Sequence, residues 1–302
     1  MLGQQPSPGG QPQHEKPSRD TGCASVRTMV VWINGELVPD NEAKISVFDH
    51  GLVTGDGVFE TVKVTNGMPF ALTRHLLRLS RSAAGLGMPQ PDLDQIRAGA
   101  LALIDASPRM PLARMRITAT AGIAPLGSQR GNSPVTAFVA IAEQKPAAPS
   151  VDVVVAPWPR NEEGALAGLK TTSYAENVRA LAYAAERGGD EAIFPNVAGN
   201  LCEGTGTNVF VAMGGKLITP PLSSGCLAGV TRGLVIEWAG AAEDDLAMED
   251  LSNAEEAFLT GTTRDVQPIA HVNGRKLAAV PGPITRKAAE VFAVRSAESP
   301  DP

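Results

Sequence analysis

Residues 164–210 read GALAGLKTTSYAENVRALAYAAERGGDEAIFPNVAGNLCEGTGTNVF. Lys170 stands in a run of leucine, alanine and glycine, and a helical pattern near Tyr174–Arg187 follows at once. A short strand at Glu191–Phe194 and a turn then deliver Glu203 into a loop of glycines and threonines, ahead of another strand at Thr207–Ala212. Helix alternating with strand in this way predicts an α/β or α+β fold. Taken singly, Lys170 is better read as a solvated loop lysine and Glu203 as an ordinary turn carboxylate. Together they describe a nucleophile and an acid. Apolar neighbours lower a lysine's pKa from about 10.4 and favour the neutral amine, and small residues let a flat ring come close to the acid.

Upstream, three Asn-Gly pairs at Asn34–Gly35, Asn66–Gly67 and Asn273–Gly274 lie between alternating apolar segments, which predicts tight hairpins. Val58–Val64 alternates as a strand. Thr73 reads as the cap of a helix through Leu76, Leu79 and Leu86, and a second helix is expected over Pro91–Asp105. Strands follow at Ala113–Ala121, Val135–Ala142 and Val151–Ala156. Downstream, helices are expected near Thr231–Ala241 and Pro283–Val294, with a strand at Ala257–Leu259. The segment EQKPAAPS, Glu143–Ser150, reads as a linker. The expected organisation is a small N-terminal α/β domain over 29–143, an interdomain linker over 144–150, and a large C-terminal domain over 151–302. Residues 1–28 are rich in Pro, Gly and Gln and lack hydrophobic periodicity, so they read as a disordered leader, with Met29 as the expected true start.

The composition excludes several classes of function. Hydrophobic content of 43% and charged content of 19% fit a globular chain. A net charge of −6 argues against a nucleic-acid surface. No apolar run is long enough for a membrane helix. Cys23, Cys202 and Cys226 have neither zinc nor disulfide spacing, a reducing and cytoplasmic pattern with no metal expected. The only tyrosines are Tyr174 and Tyr183, so polar recognition falls mainly to Arg, Thr, Ser and backbone.

A lysine and an acid brought together are the two groups that a pyridoxal phosphate enzyme needs, the lysine for a Schiff base and the acid to keep the pyridine nitrogen protonated. Such a site also requires donors for a phosphate. Arg78 lies among Leu76, Leu77 and Leu79, a setting for a partly buried anion contact. Val230 and Thr231 in LAGVTR, Leu227–Arg232, should present free N–H groups at a helix start. Thr262 lies in the hydroxyl-rich LTGTTR, Leu259–Arg264. In the strand ARMRITATA, Ala113–Ala121, Arg114 and Arg116 share one face with Thr118 and Thr120. That face is either solvated or a paired-guanidinium wall for a carboxylate.

The ordered set GDGVFET (Gly55–Thr61), HLLRL (His75–Leu79), Lys170, CEGTGTNVF (Cys202–Phe210), LAGVTR and LTGTTRDVQPI resembles the class IV, fold type IV, pyridoxal phosphate enzymes over about Val31 to Phe292. The resemblance implies a two-domain α/β homodimer that binds pyridoxal 5'-phosphate. Lys170 would be the Schiff-base lysine and Glu203 the partner of the pyridine nitrogen. Arg78, Val230, Thr231 and Thr262 would hold the phosphate, and Phe59, Glu60, Arg114, Arg116 and Thr263 would line the substrate side. FETVKV at Phe59–Val64 departs from the pattern of branched-chain enzymes, and KTTSYAEN after Lys170 looks like several bacterial aminodeoxychorismate lyases. The first expectation is therefore a 4-amino-4-deoxychorismate lyase, which releases pyruvate and yields 4-aminobenzoate for folate synthesis. The alternative is an amino acid aminotransferase of branched-chain or D-amino acid type, and a remoter one is a non-catalytic pyridoxal phosphate-binding protein.

Overall fold

The computed structural model describes residues 29–302. The expectations for residues 1–28, leader and start site alike, lie outside that range.

The Asn-Gly pairs shape the chain as their chemistry demands. At each of them both residues have positive φ (48° and 105° at 34–35, 50° and 87° at 66–67, 49° and 78° at 273–274), the twist that antiparallel strands require of a two-residue turn. The first joins β1 (Val30–Ile33) to β2 (Glu36–Pro39), and the second joins β3 (Gly57–Thr65) to β4 (Met68–Pro69). With β5 (Leu112–Thr120) and β6 (Thr136–Glu143) these form a six-stranded antiparallel sheet in the order β2-β1-β6-β5-β3-β4. A one-turn helix α1 (His50–Val53) precedes β3.

Two helices, α2 (Leu72–Gly85) and α3 (Leu93–Ala106), cover one face of this sheet. Leu72, Leu76, Leu79 and Ala83 recur at helical spacing and are buried against Val62, Val64, Met115 and Ile117. Each fully buried leucine of this kind contributes about 1.5–3 kcal/mol. Thr73, expected as the cap of α2, lies inside it. The helix begins one residue earlier, after Ala71, whose φ of 53° is left-handed and whose methyl cannot cap.

The second sheet contains nine strands. Its main path is β12-β11-β10-β13-β14-β7-β8-β9, where β7 is Val151–Val155, β8 Glu191–Pro195, β9 Leu201–Gly204, β10 Asn208–Met213, β11 Lys216–Thr219, β12 Ala242–Glu243, β13 Glu256–Gly261 and β14 Asp265–Val272. The short β15 (Arg275–Lys276) pairs with β14 across the third Asn-Gly turn. β9 pairs with β10 as well as β8, so six strands close into a ring around Val151, Val153, Ile193, Val209, Val211, Leu259 and Ile269. The parallel β7–β8 pair needs a crossover, and α4 (Ala175–Ala185) supplies it.

Outside the ring, α5 (Val230–Ala239) and α7 (Pro283–Glu298) pack with Phe210 and Phe258, whose rings stack at 4.9 Å. A short helix, α6 (Met248–Asn253), lies between them in sequence. The two sheets meet through a Lys63–Asp265 ion pair at 2.5 Å and the Phe70 and Phe292 rings at 5.9 Å. Among the described residues no helix is long and apolar enough to cross a membrane.

Candidate active site between the two sheets

The segment that carries Lys170 is stitched to the first sheet, although it runs between β7 of the second sheet and α4 in sequence. Thr171 bridges to Val58. The Phe59 N–H donates to the Lys170 carbonyl at 3.1 Å, and the Thr172 N–H donates to that of Gly57 at 2.8 Å. The Lys170 N–H in turn donates to Ser82 Oγ on α2 at 3.1 Å. Lys170 is half-buried, with its Nζ 4.7 Å from the centre of the Phe59 ring. Burial, and then the nearby charge of Arg78, bring its pKa down to about 8.

Lys170 and Glu203 line the same cavity of about 740 Å³, together with Arg160, Tyr174, Asn177, Thr205–Asn208 and Leu227. The tight turn from β9 to β10 delivers Glu203 there. Its Oε2 accepts the Leu227 N–H at 2.9 Å, and its Oε1 faces Arg160 Nε at 3.4 Å. Burial raises the pKa of Glu203, and Arg160 and the Leu227 N–H work against that rise. Arg160 is fixed from behind by two 3.1 Å bonds to Asn177 Oδ1 and by the Phe194 ring at 4.2 Å. The Tyr174 hydroxyl donates to the Thr205 carbonyl at 2.6 Å, and its ring meets Phe59 edge-on at 5.3 Å. On the far rim, Thr172 Oγ1 and Ser173 Oγ donate to the Gly55 carbonyl at 2.8 and 3.1 Å and hold the α1 loop in place.

The expected phosphate residues stand beside this cavity and are not among its lining. Arg78 donates from Nη1 to the Ala228 carbonyl at 3.0 Å, which joins it to the start of α5, where Val230 and Thr231 are buried. That start has no side-chain cap, so its first N–H groups remain available. A Cβ on Gly229 would come within 2.0 Å of Asn208 Oδ1, so only glycine allows α5 to begin this close to the Glu203 turn. Thr262 lies in the β13–β14 turn, where a Cβ on Gly261 would lie 3.4 Å from the Gly206 carbonyl oxygen.

One expected substrate residue has to be reassigned. Glu60 is fully buried on the α2 side of β3, where it takes Arg78 Nε at 2.8 Å and Nη2 at 2.7 Å, with His75 Nδ1 at 2.7 Å. Phe59 and Glu60 are adjacent in a strand and must face opposite ways, so both cannot line the substrate side. Phe59 pairs with Thr118 and Thr61 with Arg116 across β5, which puts Phe59 and Arg116 on the face toward Lys170. The Arg116 guanidinium lies 3.7 Å from the Phe59 ring centre. Arg114 and Arg116 are both exposed, and Arg114 reaches Thr263 Oγ1 at 3.3 Å.

Pyridoxal phosphate fits this arrangement. Arg78 spends three of its five N–H donors on Glu60 and Ala228, which leaves one on each terminal nitrogen for an anion. Arg160 Nε and Thr207 Oγ1, both on the cavity wall, are buried without an aligned hydrogen bond. Arg160, Tyr174 and Asn177 were absent from the sequence-based site. For Tyr174 the closeness to Lys170 was a usable signal. Arg160 follows Trp158-Pro159 with no local mark of its partnership with Glu203.

Residues 57–272 match the family described as amino-transferase class IV. The chain is 30% identical to a D-alanine aminotransferase of Bacillus licheniformis, over 85% of this chain and 94% of that protein. It superposes on a branched-chain aminotransferase from Thermoproteus uzoniensis, solved with norvaline, with a TM-score of 0.80 at 31% identity, covering 88% of this chain and 94% of that one. The Escherichia coli branched-chain amino acid aminotransferase gives a TM-score of 0.83 at 26% identity, covering 89% and 94%. The chain therefore belongs to class IV of the aminotransferases, pyridoxal phosphate-dependent enzymes of mixed α/β fold. These relatives are aminotransferases and none is a lyase, so the two functional expectations change places.

Proposed function

We propose that the chain is an amino acid aminotransferase, moving an amino group between an amino acid and a 2-oxo acid. The observation that carries this reading is one cavity shared by the Lys170 amine and the Glu203 carboxylate, with the Phe59–Arg116 face beside it. Bound pyridoxal phosphate supplies the aldehyde that takes up the amino group and a ring that withdraws electrons. Arg78, the first N–H groups at Val230 and Thr231, and Thr262 hold the phosphate. The carboxylate of Glu203, oriented by Arg160 and the Leu227 N–H, holds the proton on the ring nitrogen.

Lys170 Nζ takes the proton from the α-carbon of the amino acid, which its lowered pKa allows near neutral pH. Arg116, stacked on Phe59, binds a substrate carboxylate, and Arg114 with Thr263 extends that anion-binding face. Glu60 touches no substrate and holds Arg78 in place. The division into domains at 144–150 puts the substrate face on the smaller unit and the cofactor acid on the larger one.

A paired assay tests the reading. One arm offers L- and D-amino acids with 2-oxoglutarate or pyruvate, and the other offers aminodeoxychorismate. Amino-group transfer is expected in the first arm, for one antipode of the amino acid. Release of 4-aminobenzoate without any transfer would restore the lyase.

We also propose that two copies of the chain pair. Val47, Phe48, Leu52 and Leu126 are 70%, 48%, 69% and 72% exposed, an apolar surface on and around the α1 loop at the cavity rim. A second copy seated there would cover it and close the rim. Sedimentation is expected to show a dimer, and a species of monomer mass at micromolar concentration would contradict the pairing.

A further inference from the structure

Phosphate binding by Arg78 and the uncapped start of α5 depends on the spacing of α2 and α5. Two contacts tie them together. Arg78 reaches Ala228 at the beginning of α5, and Arg74, one turn earlier on α2, binds Glu237 near the end of α5 through Nη1 at 2.6 Å and Nη2 at 2.9 Å. The helices therefore run antiparallel, with Arg74 and Arg78 along one seam. The same helix carries Ser82, which receives the Lys170 N–H. A shift of α2 along its axis would displace the contacts at both ends of the cofactor together.

What holds α2 in place comes from the opposite end of the chain. Its first turn lacks a cap of its own because the N-cap is Ala71. The Ala71 N–H instead donates to the Pro300 carbonyl at 2.7 Å, and the Thr73 N–H donates to Asp301 Oδ1 at 2.8 Å. Thr73 Oγ1 donates to Asp301 Oδ2 at 2.5 Å, and Arg97 of α3 braces the pair with Nη2 at 2.9 Å from Thr73 Oγ1 and Nη1 at 3.8 Å from Asp301 Oδ2. Arg74 Nε completes the strap by donating to the Pro302 carbonyl at 2.9 Å. Asp301 thus does for α2 what an N-terminal Ser, Thr or Asp usually does for its own helix, and its charge faces the positive end of the helix dipole.

We infer that Asp301 is a positioning residue for cofactor binding: by capping α2 from 228 residues away in sequence, it keeps Arg78 in register with the start of α5. The inference rests on the reading of Arg78 as a phosphate ligand. The test titrates the full-length cofactor-free chain with pyridoxal 5'-phosphate by absorbance and follows amide exchange at Thr73. Asp301→Ala should weaken cofactor affinity about fivefold, the equivalent of a lost helix cap, and should speed Thr73 exchange. Asp301→Asn keeps an oxygen acceptor at the cap and should stay within about twofold of the unaltered chain. Arg78→Ala, run alongside, should weaken binding more than Asp301→Ala does.

Faster Thr73 exchange with unchanged cofactor affinity in Asp301→Ala, while Arg78→Ala binds poorly, would make the cap purely structural and overturn the inference alone. Unchanged affinity in Arg78→Ala would overturn the phosphate reading and the inference with it. An Asp301→Asn variant as weak as Asp301→Ala would show that capping by an oxygen acceptor is not what matters, and would also overturn it.

Discussion

Replacing Lys170 by alanine is expected to lower amino transfer by at least about a thousandfold, within the range that loss of a proton-moving group produces, and to leave the fold intact. Among the described residues its side chain makes no hydrogen bond or ion pair; its backbone N–H and carbonyl do bond, and alanine keeps both. Steady-state rates together with far-UV circular dichroism check this, and appreciable residual turnover would mean that another amine does the work. The same lysine sets a pH signature. Since burial and Arg78 bring its pKa to about 8, capture of pyridoxal phosphate by the cofactor-free chain should accelerate as pH rises through that value. A midpoint near the ordinary lysine value of about 10.4 would show a solvated amine.

The second large effect belongs to Glu60, which is buried on the α2 side of β3 and away from the cavity. Removing it in Glu60→Ala leaves the Arg78 guanidinium buried without its counter-charge and His75 without its acceptor. Breaking a buried pair in this way costs about 3–5 kcal/mol, a large share of the stability of any domain. Urea denaturation reads the loss, and a change below about 1 kcal/mol would place the pair with solvent-exposed ion pairs. The pH dependence has a definite sign. Burial by itself would raise the pKa of Glu60, but the charge and hydrogen bonds of Arg78, with the bond to His75, outweigh it and hold the value at about 2. Its contribution is therefore fully present above the ordinary carboxylate range, and it fades as pH falls from there toward 2.

Much of this was legible in the sequence because its causes are local. The Asn-Gly pairs specify their own backbone conformation, and the leucines at helical spacing in α2 identify the buried face. The apolar run around Lys170 and the small residues around Glu203 announced two groups that now line one cavity. Helices α4 and α5 fall where the pattern put them, within a residue or two at each end, whereas α7 runs on to Glu298, past the expected Val294.

Strand alternation could have corrected the placing of Glu60. The motif GDGVFET holds Phe59 and Glu60 side by side, whereas the alternation separates their faces. Two other features had no local signal. The cap of α2 comes from Asp301, and Thr73 offered a plausible but wrong substitute close at hand. Arg160 meets Glu203 because the segment after β7 runs beside Asn196 at the end of β8, next to β9, and the parallel β7–β8 pairing behind it is made across the α4 crossover, where no local pattern marks it.

The opposite facing of Phe59 and Glu60 also bears on how this stretch can vary. One face of β3 carries Phe59 toward Lys170 and the other, through Glu60, anchors Arg78, and the two alternate residue by residue. A single inserted or deleted residue early in β3 would turn Phe59 into the core and Glu60 toward Lys170, reversing both faces at once. Side chains along β3 can be exchanged one at a time, whereas any change in its length exchanges its two faces.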